Sequence, residues 1–409
     1  MTDIHQINHL PRVCLLINTF HPVVGGGERH ALLLGRALAK SGAAVTVITG
    51  HRTRGLPRRE TIEGMLVLRA GPLTGARWGK YLMIPAAIAQ IYRRRQEFDV
   101  IYVCGLRVLG LPGAWAARLS RRPCLLRAEA RGELSGDFIW NSVGNSRRPL
   151  LETILRPLIR LRNRMLIRLA TGWISISSIV REEYLAHNVP SERIHDISNG
   201  IEPMEFTPAD AQNRRQLRAE LQLPPEAAIC AYTGKLNRGK GLPFLLRLWP
   251  ELLQKQPTLH LLLIGGGGGQ SLSCEQELRQ YIAEHGLEPH VTITGYTGRV
   301  ADYLRTANLF VFPSRSETLG LAPLEAMACE LPVVASRIPG LTDIVTDRHN
   351  GLLADPESAR EWMTAITQLL EAPEEARRLG VNARRDVLRK FSIEADARSH
   401  LELFMRLRQ

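Results

Sequence analysis

Glu317 and Glu325, in "SRSETLGLAPLE" (314–325), bracket seven residues that carry no other charge. Gly320 and Pro323 lie between them. The apolar run "NLFVFPS" (308–314) predicts a buried strand, and Pro323 suits the first turn of a helix continuing through "LEAMACE". Glu317 then lies in a strand-to-helix loop, and Glu325 in the first turns of the helix. The amides around Gly320 and Leu321 fall at the helix N-terminus, where unpaired N–H groups bind anions and glycine admits a ligand close to the backbone. A carboxylate can accept hydrogen bonds from two neighbouring hydroxyls. The stretch therefore joins one anion site to two hydroxyl-binding groups. A nucleotide sugar, with a diphosphate in the middle and a polyol at each end, fits that chemistry. The same residues also suit a solvated loop glutamate and an acid that favours the helix dipole.

Two other loops add to this reading. "YTGKLNRGKGLPFLL" (232–246) places Lys235, Arg238 and Lys240 among glycines, after one strand and before a helix. Three cations in a glycine loop invite a diphosphate, although a solvated basic loop has the same composition. "GGGERH" (25–30) sets Gly25, Gly26 and Gly27 between the first strand and the first helix. Alone this is a weak signal, because many such turns carry glycine.

The elements that must position these loops read as two α/β domains. "RVCLLIN", "AAVTVIT", "MLVLRA", "FDVIYVC", "PCLLRAEA" and "GWISIS" are strands in the first half, apolar on both faces as in a helix-covered parallel sheet. After the punctuated segment "RIHDISNGIEPMEFTP" (193–208) the pattern restarts with "AAICAYTG", "LHLLLIGG", "VTITG", "NLFVFP", "LPVVAS" and "GLLAD". We expect two α/β domains of similar size, 1–203 and 204–390, ending in helices. The two parallel sheets would face a central cleft, with ligands outside the carboxyl ends of the strands. The run "GGGGG" (265–269) reads as a loop near the donor diphosphate rather than a dinucleotide fingerprint.

Composition bounds the function. At 44% hydrophobic and 23% charged residues the chain is that of a globular protein. Residues 1–205 hold 29 Lys and Arg against 16 Asp and Glu, whereas 206–409 hold 24 of each, so the whole excess sits in one half. A one-sided field suits an anionic surface. "RRPLLETILRPLIRLRNRMLIRLA" (147–170) carries seven arginines and one acid. It reads either as a membrane-contacting amphipathic helix, with Arg156, Arg160 and Arg164 on its basic side, or as a core-packed helix with a solvated basic face. "YRRRQEF" (92–98) could extend the same face. Nucleic acid is not the expected partner, because only 6% of residues are aromatic and no base-stacking pattern lies on the strands. The six cysteines are scattered with no close pair, and the twelve histidines show no metal-ligand spacing. No apolar run suits a span or secretion signal. We expect reduced, mostly buried thiols and a cytoplasmic protein, peripheral on the inner face of the membrane if the basic helix docks there.

Taken in order, the Gly25-Gly26-Gly27-Glu28 turn, "SNGI" (198–201), "GKLNRGKG", the E-x7-E stretch with "EAMACELPVVAS", and "PGLTDIVTDRHNGLLADP" (339–356) resemble family 4 of the retaining glycosyltransferases, of GT-B fold. The resemblance covers nearly the whole chain and implies two Rossmann-like domains, an N-terminal acceptor-binding one (1–203) and a C-terminal nucleotide-sugar-binding one (204–390), with a C-terminal helix (391–409) returning to the first. It implies that Lys235 and Lys240 bind the donor diphosphate and that Glu317 reaches the transferred sugar. Glu325 would hold the ribose, the amides near Gly320 and Leu321 would take phosphate, and the Gly26 turn would approach the diphosphate as the cleft closes. It further implies transfer with retention, from a UDP- or GDP-sugar to a glycan or lipid-linked acceptor of a surface or secreted polysaccharide. No metal or other cofactor is required, since lysines neutralise the leaving group. Two departures stand out. Lys235 occupies a position where arginine is common, so a point charge replaces a fork of donors. The region where the family often has an acceptor-side histidine reads "LLRAEARGELSGDF" (125–138), without one; Glu129, Arg131 and, from the Gly25 side, His21 are the candidates there. A sugar-nucleotide epimerase or phosphorylase of the same fold, and a basic nucleic-acid-binding protein, are the rival readings.

Overall fold

The computed structural model describes residues 10–23, 25–74, 79–137, 148–268 and 272–408, with backbone alone at 148–152 and 154. The chain forms two compact units, Met1–Gly200 with Ile393–Gln409, and Ile201–Ser392. The division falls a few residues from the boundaries read from the punctuation. Ile201 N–H already donates to Phe391 O at 2.9 Å, so the two ends of the second unit lie side by side.

In the first unit eight strands, β1 (Arg12–Ile17), β2 (Ala44–Gly50), β3 (Arg59–Ile62), β4 (Met65–Ala70), β5 (Val100–Cys104), β6 (Cys124–Arg127), β7 (Gly172–Ser175) and β8 (Ile194–Asp196), form one sheet in the order β3-β4-β2-β1-β5-β6-β7-β8. All pairs are parallel except β3 with β4. That hairpin is absent from the sequence reading. Its strand "RETI" is short and half charged, and its turn is Glu63-Gly64, both with positive φ. Such a turn matches the twist of a two-residue hairpin. Val13 to Ile17 of β1 and all of β5 are buried, as central strands covered on both faces must be.

The helix Gly26–Lys40 and the C-terminal helix Ile393–Arg408 pack together on one face. Their contact is polar at its centre. Asp396 Oδ2 lies 2.7 Å from His30 Nε2 and accepts Gly200 N–H at 2.9 Å, while Asp396 Oδ1 lies 2.8 Å from His400 Nδ1. Burial pushes the His30 pKa down to about 4, and the charge of Arg127 adds to this. Its Nδ1 is buried without a partner, which also favours the neutral ring. The two histidines hold Asp396 well below the usual carboxylate range despite its burial.

The second unit has six strands, β9 (Ala228–Thr233), β10 (Leu259–Ile264), β11 (Val291–Ile293), β12 (Leu309–Phe312), β13 (Val333–Ser336) and β14 (Leu352–Ala354), all parallel, in the order β11-β10-β9-β12-β13-β14. Every strand of the sequence reading is present in this half. The six cysteines are free and buried.

Candidate active site

Among the parallel strands of each sheet the strand order reverses once. Strands β9 to β11 run one way and β12 to β14 the other, so the switch lies between β9 and β12. In the first unit it lies between β1 and β5. Connections leave to opposite faces at such a point and open a crevice at the carboxyl edge.

In the second unit that edge carries the basic loop and the E-x7-E stretch. The loop leaves β9 through Gly234 and enters the helix Leu242–Lys255 through a turn at Arg238–Lys240. Leu236, fully buried, anchors it, and its carbonyl accepts Cys274 N–H at 3.0 Å. Gly241 has φ +70°, and a Cβ there would lie 1.9 Å from Pro313 O. Only glycine lets the loop lie this close to the chain leaving β12. Gly265 does the same on the other side, where a Cβ would meet Gly234 O at 2.0 Å. The glycine run thus seats the backbone after β10 against the basic loop; its last residue, Gly269, lies outside the described residues.

The cations differ in surroundings. Lys240 Nζ pairs with Glu317 and sits 5.6 Å from the centre of the Phe312 ring. Arg238 turns outward to Glu277 at 2.9 Å. Lys235 is exposed and pairs with no described acid. Beyond Glu317 the helix Leu321–Ala328 begins at Gly320, φ +92°, and no side chain caps it. Glu325 is buried on this helix, only 9% exposed. The structure therefore brings Lys240 and Glu317 into contact, places Lys235 on the same loop, and sends Arg238 away.

The crevice of the first unit is a cavity of about 310 Å³ lined by the ends of β1 and β5, with Glu28, Lys80, Arg107, Glu129 and Glu133 on its wall. Glu129 is exposed as a residue, yet its carboxylate lies over the backbone. A Cβ on Gly27 would meet Glu129 Oε1 at 2.7 Å. Gly27 therefore makes room for Glu129, Gly25 caps the helix without a side-chain bond, and Gly26 faces open space. Burial raises the Glu129 pKa, with Glu28 adding to it. Burial also pushes Glu133 up to about 7, against the Leu106 N–H that its carboxylate accepts at 2.6 Å. Glu183 fixes the loop between them by accepting Gly132, Leu134 and Ser135 N–H at 2.7, 2.8 and 3.1 Å. Of the three acceptor-side candidates only Glu129 lines this cavity. Arg131 is exposed and His21 lies in an exposed loop, its carbonyl accepting from Arg69. Lys80, Arg107 and Glu133 were missed because four distant segments meet only through the strand order.

The sequence model of the family "Glycosyltransferase Family 4" matches residues 24–205, and that of "Glycosyl transferases group 1" matches residues 213–386. This chain belongs to the family 4 glycosyltransferases. Its fold is GT-B: a sucrose-phosphate synthase from Thermosynechococcus elongatus superposes with a TM-score of 0.75 at 26% identity, covering 97% of this chain and 99% of that one. HepE from Anabaena, solved in complex with UDP-glucose, gives 0.73 at 20% identity, covering 96% and 99%. Among curated relatives, a D-inositol 3-phosphate glycosyltransferase of Nocardioides is 28% identical over 94% of this chain and 86% of its own length. D-inositol 3-phosphate glycosyltransferase 2 of Catenulispora acidiphila is 31% identical over 52% of this chain, but that match spans only 51% of the relative. The chain thus matches several of these relatives over about half their length. No helix among the described residues is long and apolar enough to cross a membrane.

Proposed function

We propose that this chain transfers a sugar, with retention and without a metal, from a UDP- or GDP-sugar to a hydroxyl of a glycan or lipid-linked acceptor in surface or secreted polysaccharide synthesis. The observation that carries the donor half is the meeting of Lys240 and Glu317 at the switch point of the second sheet, beside an uncapped helix start. In this reading the diphosphate draws Lys235 and Lys240 and the amides at Gly320 and Leu321, Glu317 turns to the sugar, and Glu325 holds the ribose.

Chemically, the bond between the anomeric carbon and the β-phosphate oxygen breaks. A bond to the acceptor oxygen forms on the same face, and the acceptor proton passes to the departing phosphate. The charge that develops is on the nucleoside diphosphate, where prearranged lysines and amides act most strongly. Glu317 needs no proton of its own for this step. The crevice of the first unit, with acids for hydroxyls and Lys80 and Arg107 for an anionic group, suits the acceptor. A phosphorylated polyol is a second reading, favoured by the names of the curated relatives together with those two cations.

The test is turnover of a panel of UDP- and GDP-sugars in EDTA, with the product's anomeric configuration read by proton NMR. Activity in EDTA with a retained configuration supports the proposal. Metal-dependent turnover removes the metal-free part, and inversion removes the mechanism. Binding of nucleotide sugars without transfer to any polyol or glycan acceptor would oppose the function as a whole.

A further inference from the structure

Part of the first unit's cationic excess lies on one group of helices. Strand crossovers are right-handed, so connections running toward β8 lie on one face of the sheet, opposite Gly26–Lys40, which runs the other way. Three such connections are the helices Ile84–Arg93, Gly110–Ser120 and Arg148–Leu169, with Gly110–Ser120 packed between the other two. Ile84–Arg93 and Gly110–Ser120 contain no Asp or Glu, and Arg148–Leu169 contains one, Glu152.

Along the last helix Arg156, Arg160, Arg164 and Arg168 follow each other at four-residue steps and line one wall of an open groove of about 960 Å³. Its buried side is Asn163 and Leu166. Next to the arginine stripe, on the solvent side, stand Leu158 at 58% and Leu161 at 55% exposure. The neighbouring helices expose Trp115 (42%), Leu119 (54%) and Tyr92 (46%), with Arg118 and Arg93 beside them. A core-packed helix with a merely solvated basic face has no reason to expose leucines there. Large apolar side chains gathered on one face mark a contact surface. Arginines that outnumber the acids Asp137 and Glu152, beside leucines and aromatic rings, fit an interface with anionic headgroups above and acyl chains below.

We infer that this three-helix face docks the enzyme on an anionic lipid bilayer, lying on the surface rather than crossing it. The inference does not depend on which sugar is moved.

The test uses the full chain and sedimentation with vesicles of phosphatidylcholine, with and without phosphatidylglycerol. Binding should require phosphatidylglycerol and weaken at high salt. Each basic residue near such a surface contributes roughly a factor of five. The triple variant Arg160→Gln, Arg164→Gln, Arg168→Gln should therefore lose about a hundredfold in partitioning. Leu158→Ser with Leu161→Ser, which keeps every charge, should weaken vesicle binding but leave heparin binding unchanged. Thermal melts matching the wild type check that these exposed changes leave the fold intact. Equal partitioning of the triple variant would overturn the inference. So would a leucine variant that binds vesicles as the wild type does, which would make the face a site for soluble polyanions.

Discussion

Lys240 and Glu317 form an ion pair although they stand on loops that follow different strands, β9 and β12. Without a ligand each neutralises the other. In the proposed reading a diphosphate would compete with Glu317 for Lys240, so that binding the donor would exchange one anion for another at the same ammonium group. Charge-assisted bonds of this kind contribute about 1.5–3 kcal/mol. We expect Lys240→Met to weaken nucleoside diphosphate binding by about tenfold to a hundredfold in calorimetry; an unchanged dissociation constant would remove Lys240 from the donor site.

Glu317→Ala separates binding from turnover. The variant should still bind the nucleoside diphosphate, and somewhat more tightly, because the carboxylate that competes for Lys240 is gone. Its kcat should drop by about two to three orders of magnitude, the range seen when one transition-state contact is lost. Wild-type kcat in this variant contradicts the assignment.

Gly241→Ala tests the seating of the basic loop. The alanine would adopt φ +70° and push its methyl into the backbone of Pro313. A cost of at least about 2 kcal/mol is expected from strain and clash together. Thermal denaturation should show a fall of several degrees, accompanied by weaker diphosphate binding. A melting temperature within a degree of the wild type would show that the loop can lie elsewhere.

Much of this was readable in the chain. The buried parallel strands announce themselves as runs apolar on both faces, and the E-x7-E stretch with its glycine marks a strand-loop-helix edge. What was not readable depends on distance. The pairing of Lys240 with Glu317, the turn of Arg238 toward Glu277, and the meeting of Glu28, Glu129 and Glu133 all follow from strand order, which local sequence does not encode. The β3 edge strand was invisible because its residues are half exposed and its apolar pattern is too short to register.

The pH dependence of stability draws on buried groups of opposite sign, Glu133 on one side and His30 and His260 on the other. Glu133 titrates near 7 in the folded chain against about 4.3 unfolded, so the folded state keeps a proton that the unfolded state releases. Its burial therefore costs stability progressively as pH rises from about 4.5 to 7, up to roughly 3 kcal/mol. His30, near 4 when folded and about 6.5 unfolded, acts in reverse and costs stability as pH falls across nearly the same window. Glu133→Gln removes the Glu133 contribution alone, so its melting temperature should rise relative to the wild type as pH increases from 4.5 to 7. A constant difference across that range would contradict the cavity's effect on Glu133.

The donor site is tested most directly by a solved complex with whichever nucleoside diphosphate, UDP or GDP, raises the melting temperature more. The account predicts the pyrophosphate within hydrogen-bond distance of Lys235 and Lys240 and of the amides at Gly320 and Leu321, with Glu325 on the ribose. A nucleotide seated away from residues 235–240 and 317–325 would contradict it.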